Sequence, residues 1–385
     1  MKPTVKITSL LLAVLLLLSA FAAGCSLQKE WSYKTADKEL AIGVYVTALQ
    51  ESYLEAQNYA SSLDGYDATS DKWLDMEITD SDGNKAVAKD WIKDTAERKC
   101  KELLVLESAL KDLGATVDEA ALTAQNDQYD TMWYSQYKDT LEKQGVSLES
   151  FRYYTARYST LRDQLFQKLY GAGGTQEATT DEINKYLAEN YGRYAALPVQ
   201  LYESTTDEAG SSQNVALSAE EAKKITDALD DIAKQVNAEK DVAKSVELSK
   251  KLTDAYIASN DKLEESALTN VTLPLENSGI SDEDLKKALA DLKEGGAATV
   301  KVGEDNEANY FYLFRYDNAS LMENHEADGV TTDSVLKKMK SKDFTAYLKD
   351  LTDKANIQKS AAVDKYSPSI FFVKQENTTG AVVSQ

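Results

Sequence analysis

The most informative segment of the chain reads Leu285-Lys-Lys-Ala-Leu-Ala-Asp-Leu-Lys-Glu-Gly295 and leads into two short apolar runs. Apolar residues at steps of three and four over 285–292 predict a helix, and Gly295 with Gly296 ends it. The runs Ala298-Thr-Val-Lys-Val302 and Tyr310-Phe-Tyr-Leu-Phe314, separated by an acidic turn, predict a β-hairpin. A small α+β region is therefore expected here.

Most of the remaining chain is predicted to be helical. Apolar stripes at helical spacing occur over 40–59, 92–113, 148–170, 225–236 and 336–355. Capping-box spacing, which marks helix starts, occurs at Thr116, Thr179, Ser218 and Ser281. The stretch Gly171-Ala-Gly-Gly174 is the clearest linker, and residues 194–202 predict a strand. The expected fold class is therefore mostly α with a small α+β insert.

This order of elements resembles the PrsA/SurA class of extracytoplasmic foldases. Residues 285–295 and their hairpin resemble the parvulin segment that runs Phe-x-x-Ala-Leu-x-x-Leu-Lys-x-Gly. Leu141-Glu-Lys-Gln-Gly-Val-Ser-Leu148 resembles an elbow of the family, and residues 344–357 resemble its closing helix. With weaker similarities at 103–125 and 179–194, the resemblance covers most of residues 40–357.

The resemblance implies a domain plan. A helical chaperone domain is expected over 37–178 and is completed by a C-terminal helix within 325–360. A parvulin-like domain, with a four-stranded sheet wrapped by short helices, is expected as an insertion over 190–318. Residues 361–385 are then a polar tail.

The N-terminal residues 1–24 have the pattern of a secretory signal peptide. Lys2 and Lys6 precede an apolar run that is short for a membrane-spanning helix. Ala22-Ala-Gly-Cys25 resembles a bacterial lipobox, which implies that Cys25 is acylated and becomes the first mature residue. We therefore expect a lipoprotein on the outer face of the cytoplasmic membrane, as in Gram-positive bacteria, with residues 25–36 as a spacer.

The catalytic groups of active parvulins are not found at the matching positions. The family carries a histidine on its first and last strands, whereas Ala195-Ala-Leu-Pro-Val-Gln-Leu201 and Asn309-Tyr-Phe-Tyr-Leu-Phe314 have none. Leu285 stands where the family has the aromatic residue of its proline pocket. The only histidine, His325, is predicted to be a solvated surface residue. We therefore expect no catalytic residue and a weak or inactive isomerase, with an active peptidyl-prolyl isomerase as the alternative.

A chaperone instead needs apolar surface for its clients, which here would be unfolded or newly exported polypeptides. Candidate peptide-contacting residues are Leu285, Leu289, Tyr310, Tyr312, Trp133 and Tyr137. The last two belong to the aromatic-rich stretch 129–170, where tyrosine combines contact area with a polar tip. The alternative is that these aromatic residues pack two helices together. A homodimer is left open.

Composition excludes several classes of function. With 64 Asp+Glu against 43 Lys+Arg, the net charge of −21 argues against nucleic acid as a partner. Two cysteines and one histidine are too few for the usual zinc sites, so no metal and no cofactor is expected. A solute-binding lipoprotein of a transporter would need alternating strands and helices, which the helical first half does not provide. A structural surface protein is a third alternative.

Overall fold

A computed structural model describes residues 30–206, 210–276 and 278–372. The predicted signal peptide and the lipid-attachment residue Cys25 lie outside the described residues. The chain divides into two compact units. The first contains the described residues up to Gln176 and from Lys342 onward, and the second runs from Glu177 to Ser341.

The first unit is built mainly from helices. They are α1 (Ile42–Ala60), α2 (Ala88–Asp112), α3 (Glu119–Met132), α4 (Lys138–Leu141) and α5 (Leu148–Tyr170). Its strands are β1 (Trp31–Lys34), β2 (Glu39–Ala41), β3 (Glu77–Thr79) and β4 (Lys85–Val87). A π-helical turn, Trp133–Tyr137, joins α3 to α4.

The core of the first unit lies where α1, α2 and α5 pack against one another. Each contributes the apolar stripe that its sequence predicts, for example Leu49 on α1, Leu103 on α2 and Leu161 on α5, all buried. Cys100 lies on the same stripe of α2, and its burial raises the pKa of the thiol. It is therefore a packing residue and not a nucleophile.

Two of the predicted boundaries in this unit are wrong. Residues 31–34 form β1, which pairs with β2 and with β11 (Gln358–Lys359), so the proposed spacer over 25–36 contains folded residues. The proposed tail also begins too early, because Val363 and Phe371 are buried and the Phe371 ring lies 5.7 Å from that of Tyr53. The apolar side chains of both segments complete the core of this unit.

The second unit combines helices with an antiparallel sheet. Its helices are α6 (Thr180–Asn190), α7 (Ala219–Ala238), α8 (Val242–Ala258), α9 (Glu283–Asp291), α10 (Asn318–Asn324) and the start of α11 (Thr332–Lys354). Its strands are β5 (Tyr191–Gln200), β6 (Tyr202–Thr206), β7 (Ser212–Ala216), β8 (Thr269–Pro274), β9 (Ala297–Val302) and β10 (Asn309–Arg315).

Four of these strands form one sheet in the order β8-β5-β10-β9. Every neighbouring pair is antiparallel, with Tyr312 opposite Leu197 of β5 and opposite Thr299 of β9. Strands β6 and β7 form a separate two-stranded ribbon. The predicted fold class, mostly α with a small α+β part, is confirmed, and so is the predicted hairpin, which is β9 with β10.

The second unit is larger than the predicted insertion over 190–318. Leu187 on α6, Tyr191, Leu321 on α10 and Val335 on α11 form a buried cluster within it. The unit boundary consequently falls inside α11, so residues 325–341 do not belong to the first unit. His325 is also not solvated, since it is only 7 % exposed and its Nδ1 lies 2.6 Å from the Val330 carbonyl oxygen.

Candidate functional site

The two sides of the four-stranded sheet are covered to different extents. On one side, α7 and α8 pack over a cluster that includes Leu197, Leu229 and Phe314. On the other side, α9, a helix of nine residues, is the helix of the described residues that packs on the sheet, through Leu289 and the neighbouring Leu292. We call this second side the α9 face. A single short helix leaves part of it uncovered.

The uncovered part of the α9 face is apolar. Its half-buried side chains are Ala196, Val271, Leu273, Leu285, Ala298, Val300 and Phe311. Phe311 lies opposite Val300 of β9 and opposite Pro198 of β5, and Pro198 is exposed. An apolar strip therefore runs across β5, β10 and β9, and such patches commonly mark interaction sites.

A cavity of about 330 Å³ opens at the β8 end of the same face. It is lined by Tyr194, Leu273, Pro274, Leu275, Glu276, Ser278, Lys286, Leu289 and Ala290. Leu275 is 36 % exposed at its rim. A cavity of this size, lined by polar and apolar surface in nearly equal parts, can hold one side chain of a bound segment.

Tyr194 is the one aromatic hydroxyl in the lining of the cavity. Its ring centroid lies 6.0 Å from the Arg315 guanidinium. Burial raises the pKa of the Tyr194 hydroxyl, and Arg315 opposes that rise. The hydroxyl therefore stays protonated at neutral pH and can donate a hydrogen bond, but it cannot act as a base there.

The structure separates the four candidate residues of this unit into two pairs. Leu285 and Leu289 are on the α9 face, whereas Tyr310 and Tyr312 point to the opposite side. Successive residues of a strand alternate between faces, so Phe311 is the side chain that faces α9. The four candidate residues therefore lie on two different faces of the sheet.

The two tyrosines have other partners instead. Tyr312 is fully buried, and its hydroxyl lies 2.7 Å from that of Ser249 on α8. Burial raises the pKa of the Tyr312 hydroxyl. The Tyr310 hydroxyl donates to Asp230 Oδ1 on α7 at 2.7 Å. Each tyrosine hydroxyl thus links β10 to a helix through a hydrogen bond, Tyr312 to α8 and Tyr310 to α7.

The aromatic candidates of the first unit lie in a packed cluster around Phe151. The Trp133 and Tyr137 ring centroids lie 5.1 Å and 5.5 Å from that of Phe151. Trp133 is only 1 % exposed, so it cannot contact a client in this conformation, and Tyr137 is half-buried. The exposed aromatic residue of this segment is Tyr134, at 64 %. The alternative, that these aromatic residues pack helices together, therefore applies to Trp133.

The described residues offer no metal site and no membrane span. Within them, no group of three His, Cys, Asp or Glu side chains could hold a metal ion. Over the same ranges, no helix is both long and apolar enough to cross a membrane.

Comparisons with known proteins give matches among solved structures. The chain matches no protein-family model and no curated protein. It is similar to the crystal structure of the foldase protein PrsA from Streptococcus pneumoniae, with 15% identity, a TM-score of 0.33, and coverage of 75% of this chain and 97% of that one. It is also similar to the PrsA foldase of Lactococcus lactis, with 14% identity, a TM-score of 0.30, and coverage of 89% and 98%.

Proposed function

We propose that this protein is an extracytoplasmic chaperone of the foldase class that binds unfolded or newly exported polypeptides. The uncovered apolar strip of the α9 face carries the proposal. Each Å² of apolar surface that leaves water on binding contributes about 25 cal/mol, so the strip and its cavity favour apolar client segments of varied sequence.

The proposal includes little or no prolyl isomerase activity. The sheet order β8-β5-β10-β9, with helices on both sides, agrees with the parvulin-like arrangement that the sequence resembles. On its α9 face, however, β5 and β10 present Tyr194, Ala196, Phe311 and Leu313. The Tyr194 hydroxyl can donate a hydrogen bond, but the histidines that the family carries on its first and last strands are absent from 195–201 and 309–314.

Substitution on the strip tests the chaperone role. Val300→Asp places a charge among the half-buried apolar residues of β9. We expect it to weaken client binding about tenfold, because the carboxylate loses water when a client covers it. The measurement is suppression of aggregation of an unrelated unfolding protein, with titration of a labelled apolar peptide.

The matched control is Val215→Asp on the β6–β7 ribbon, where Val215 is 50 % exposed and lies outside the α9 face. It should behave as the unsubstituted chain, and circular dichroism should show both variants folded. Equal suppression by all three proteins would reject the α9 face as the client site.

In the same preparations, an Xaa-Pro tetrapeptide should isomerise within a few-fold of the uncatalysed rate. Robust isomerisation that disappears in Leu285→Ala would favour the active-isomerase alternative.

We further propose that acylated Cys25 anchors the chain to the outer face of the cytoplasmic membrane. The support is the signal-like sequence over residues 1–24 and its lipobox-like end. Cys25→Ala is expected to release the protein from the membrane fraction or to leave the precursor uncleaved. Fractionation of cells that express each form measures this. A mature-size Cys25→Ala protein that remains with the membrane would contradict the anchor.

A further inference from the structure

The negative charge of the chain is concentrated in the second unit. Residues 177–341 contain 33 Asp+Glu and 18 Lys+Arg, a formal charge of −15, while the whole chain carries −21. The α9 face belongs to this unit. A polypeptide that approaches the face therefore meets a negative potential, which attracts cationic partners and repels anionic ones.

The excess of acidic residues includes the segment 276–294, which carries α9 and is here called the rim. Across 276–294, which includes α9, the sequence has six acidic residues and three lysines. The acidic residues are Glu276, Asp282, Glu283, Asp284, Asp291 and Glu294. Lys286 pairs with Glu283 at 3.3 Å. The positive charge of Lys286 is therefore already paired within α9.

Three of the rim carboxylates are available to a ligand. Glu276 lines the cavity, and Asp284 and Asp291 are exposed on α9. None of the three has an ion-pair partner among the residues that the structure describes. Negative charge without an ion-pair partner thus lies at the cavity and on the helix that packs beside the apolar strip.

We propose that the α9 face selects extended polypeptide segments in which an apolar core is flanked by lysine or arginine. The inference rests on the proposed function and names the class of client. The core occupies the strip and the cavity, and the flanking cations lie against Glu276, Asp284 and Asp291. Because the rim is solvent-exposed, its contribution is screened by salt over about 8–10 Å at physiological ionic strength.

Binding of three fluorescent peptides to the full chain tests the selectivity. They share one uncharged apolar core and carry flanking Lys, Gln or Glu residues. At low salt the Lys-flanked peptide should bind most tightly, and the difference should shrink as salt is added. In the triple variant Glu276→Gln, Asp284→Asn, Asp291→Asn, its affinity should fall about tenfold, the summed effect of three exposed charges.

The control removes three carboxylates from the helices on the other side of the sheet, as Asp227→Asn and Asp231→Asn on α7 and Glu247→Gln on α8. It should retain most of the preference for the Lys-flanked peptide. Equal losses in the two triple variants would overturn the rim assignment, because net charge alone would then explain the preference. Equal affinity of the three peptides would overturn the selectivity while leaving the proposed function in place. Binding of none of them would overturn the proposed function itself.

Discussion

Arg193→Met is expected to lower the free energy of unfolding of the second unit by about 3–5 kcal/mol, the usual cost of breaking a buried ion pair. Arg193 Nε lies 2.7 Å from Asp328 Oδ2, and the side chains are 10 % and 6 % exposed. The guanidinium also donates to Ser320 Oγ at 2.9 Å. Without it, the buried Asp328 carboxylate keeps the Thr272 hydroxyl at 2.9 Å but has no counter-charge.

The placement of tryptophan allows the second unit to be observed separately. All four tryptophans, at positions 31, 73, 91 and 133, lie in the first unit. Far-UV circular dichroism follows both units during denaturant unfolding, whereas tryptophan fluorescence follows the first. The circular dichroism transition of Arg193→Met should therefore shift to lower denaturant concentration, with a smaller change in fluorescence.

A double variant separates the loss of the pair from the loss of packing. Arg193→Met with Asp328→Asn removes both charges and keeps an acceptor for Thr272. It should be more stable than Arg193→Met alone, because no unpaired charge stays buried. If Arg193→Met is as stable as the unsubstituted chain, this ion pair does not hold α10 and the following loop to the sheet.

The long helices could be predicted because their signals are local. The stripes that predicted α1, α2, α5 and α11 repeat over several turns. The capping boxes at Thr179 and Ser218 are present as predicted. The predicted caps at Thr116 and Ser281 are wrong, because Asp118 and Asp282 accept the first amide hydrogen bonds of α3 and α9 instead. Aspartate is as good an N-cap as serine or threonine. Spacing alone therefore could not decide between the hydroxyl residue and the aspartate at these two helix starts.

The α9 face could not be predicted from its strand. Residues 310–314 are all apolar or aromatic, because β10 has apolar neighbours on both of its faces, and such a run does not show which residues face α9. Only the register with β5, which pairs Phe311 with Pro198, assigns the faces. The cavity also needs β8, and the predictions above assign no strand there. The alternation in Thr269-Asn-Val-Thr-Leu-Pro274 nevertheless indicates one.

Phe344→Ala is expected to destabilise the first unit by about 3–5 kcal/mol, the usual cost of deleting a buried phenylalanine ring. Phe344 lies on the part of α11 that belongs to the first unit, far in sequence from α5, and is 2 % exposed. Its ring packs edge-on against Phe166 at 5.2 Å and lies 6.3 Å from Tyr170. Arg162 lies over its face at 5.0 Å. The substitution therefore removes an aromatic contact that joins the end of the chain to α5.

Tryptophan fluorescence is the suitable probe for Phe344→Ala, because the residues that report on unfolding lie in the unit that is expected to weaken. Lys349→Ala on the same helix is the control. Its side chain is 74 % exposed and pairs with Asp353 one turn later, so its loss should change stability by less than about 0.5 kcal/mol. Equal stability of the two variants would mean that the 342–354 part of α11 is not needed for the core of the first unit. A large loss in Phe344→Ala alone would mean that this unit is completed by a helix encoded after the second unit, so that a chain truncated before residue 342 could not reach full stability.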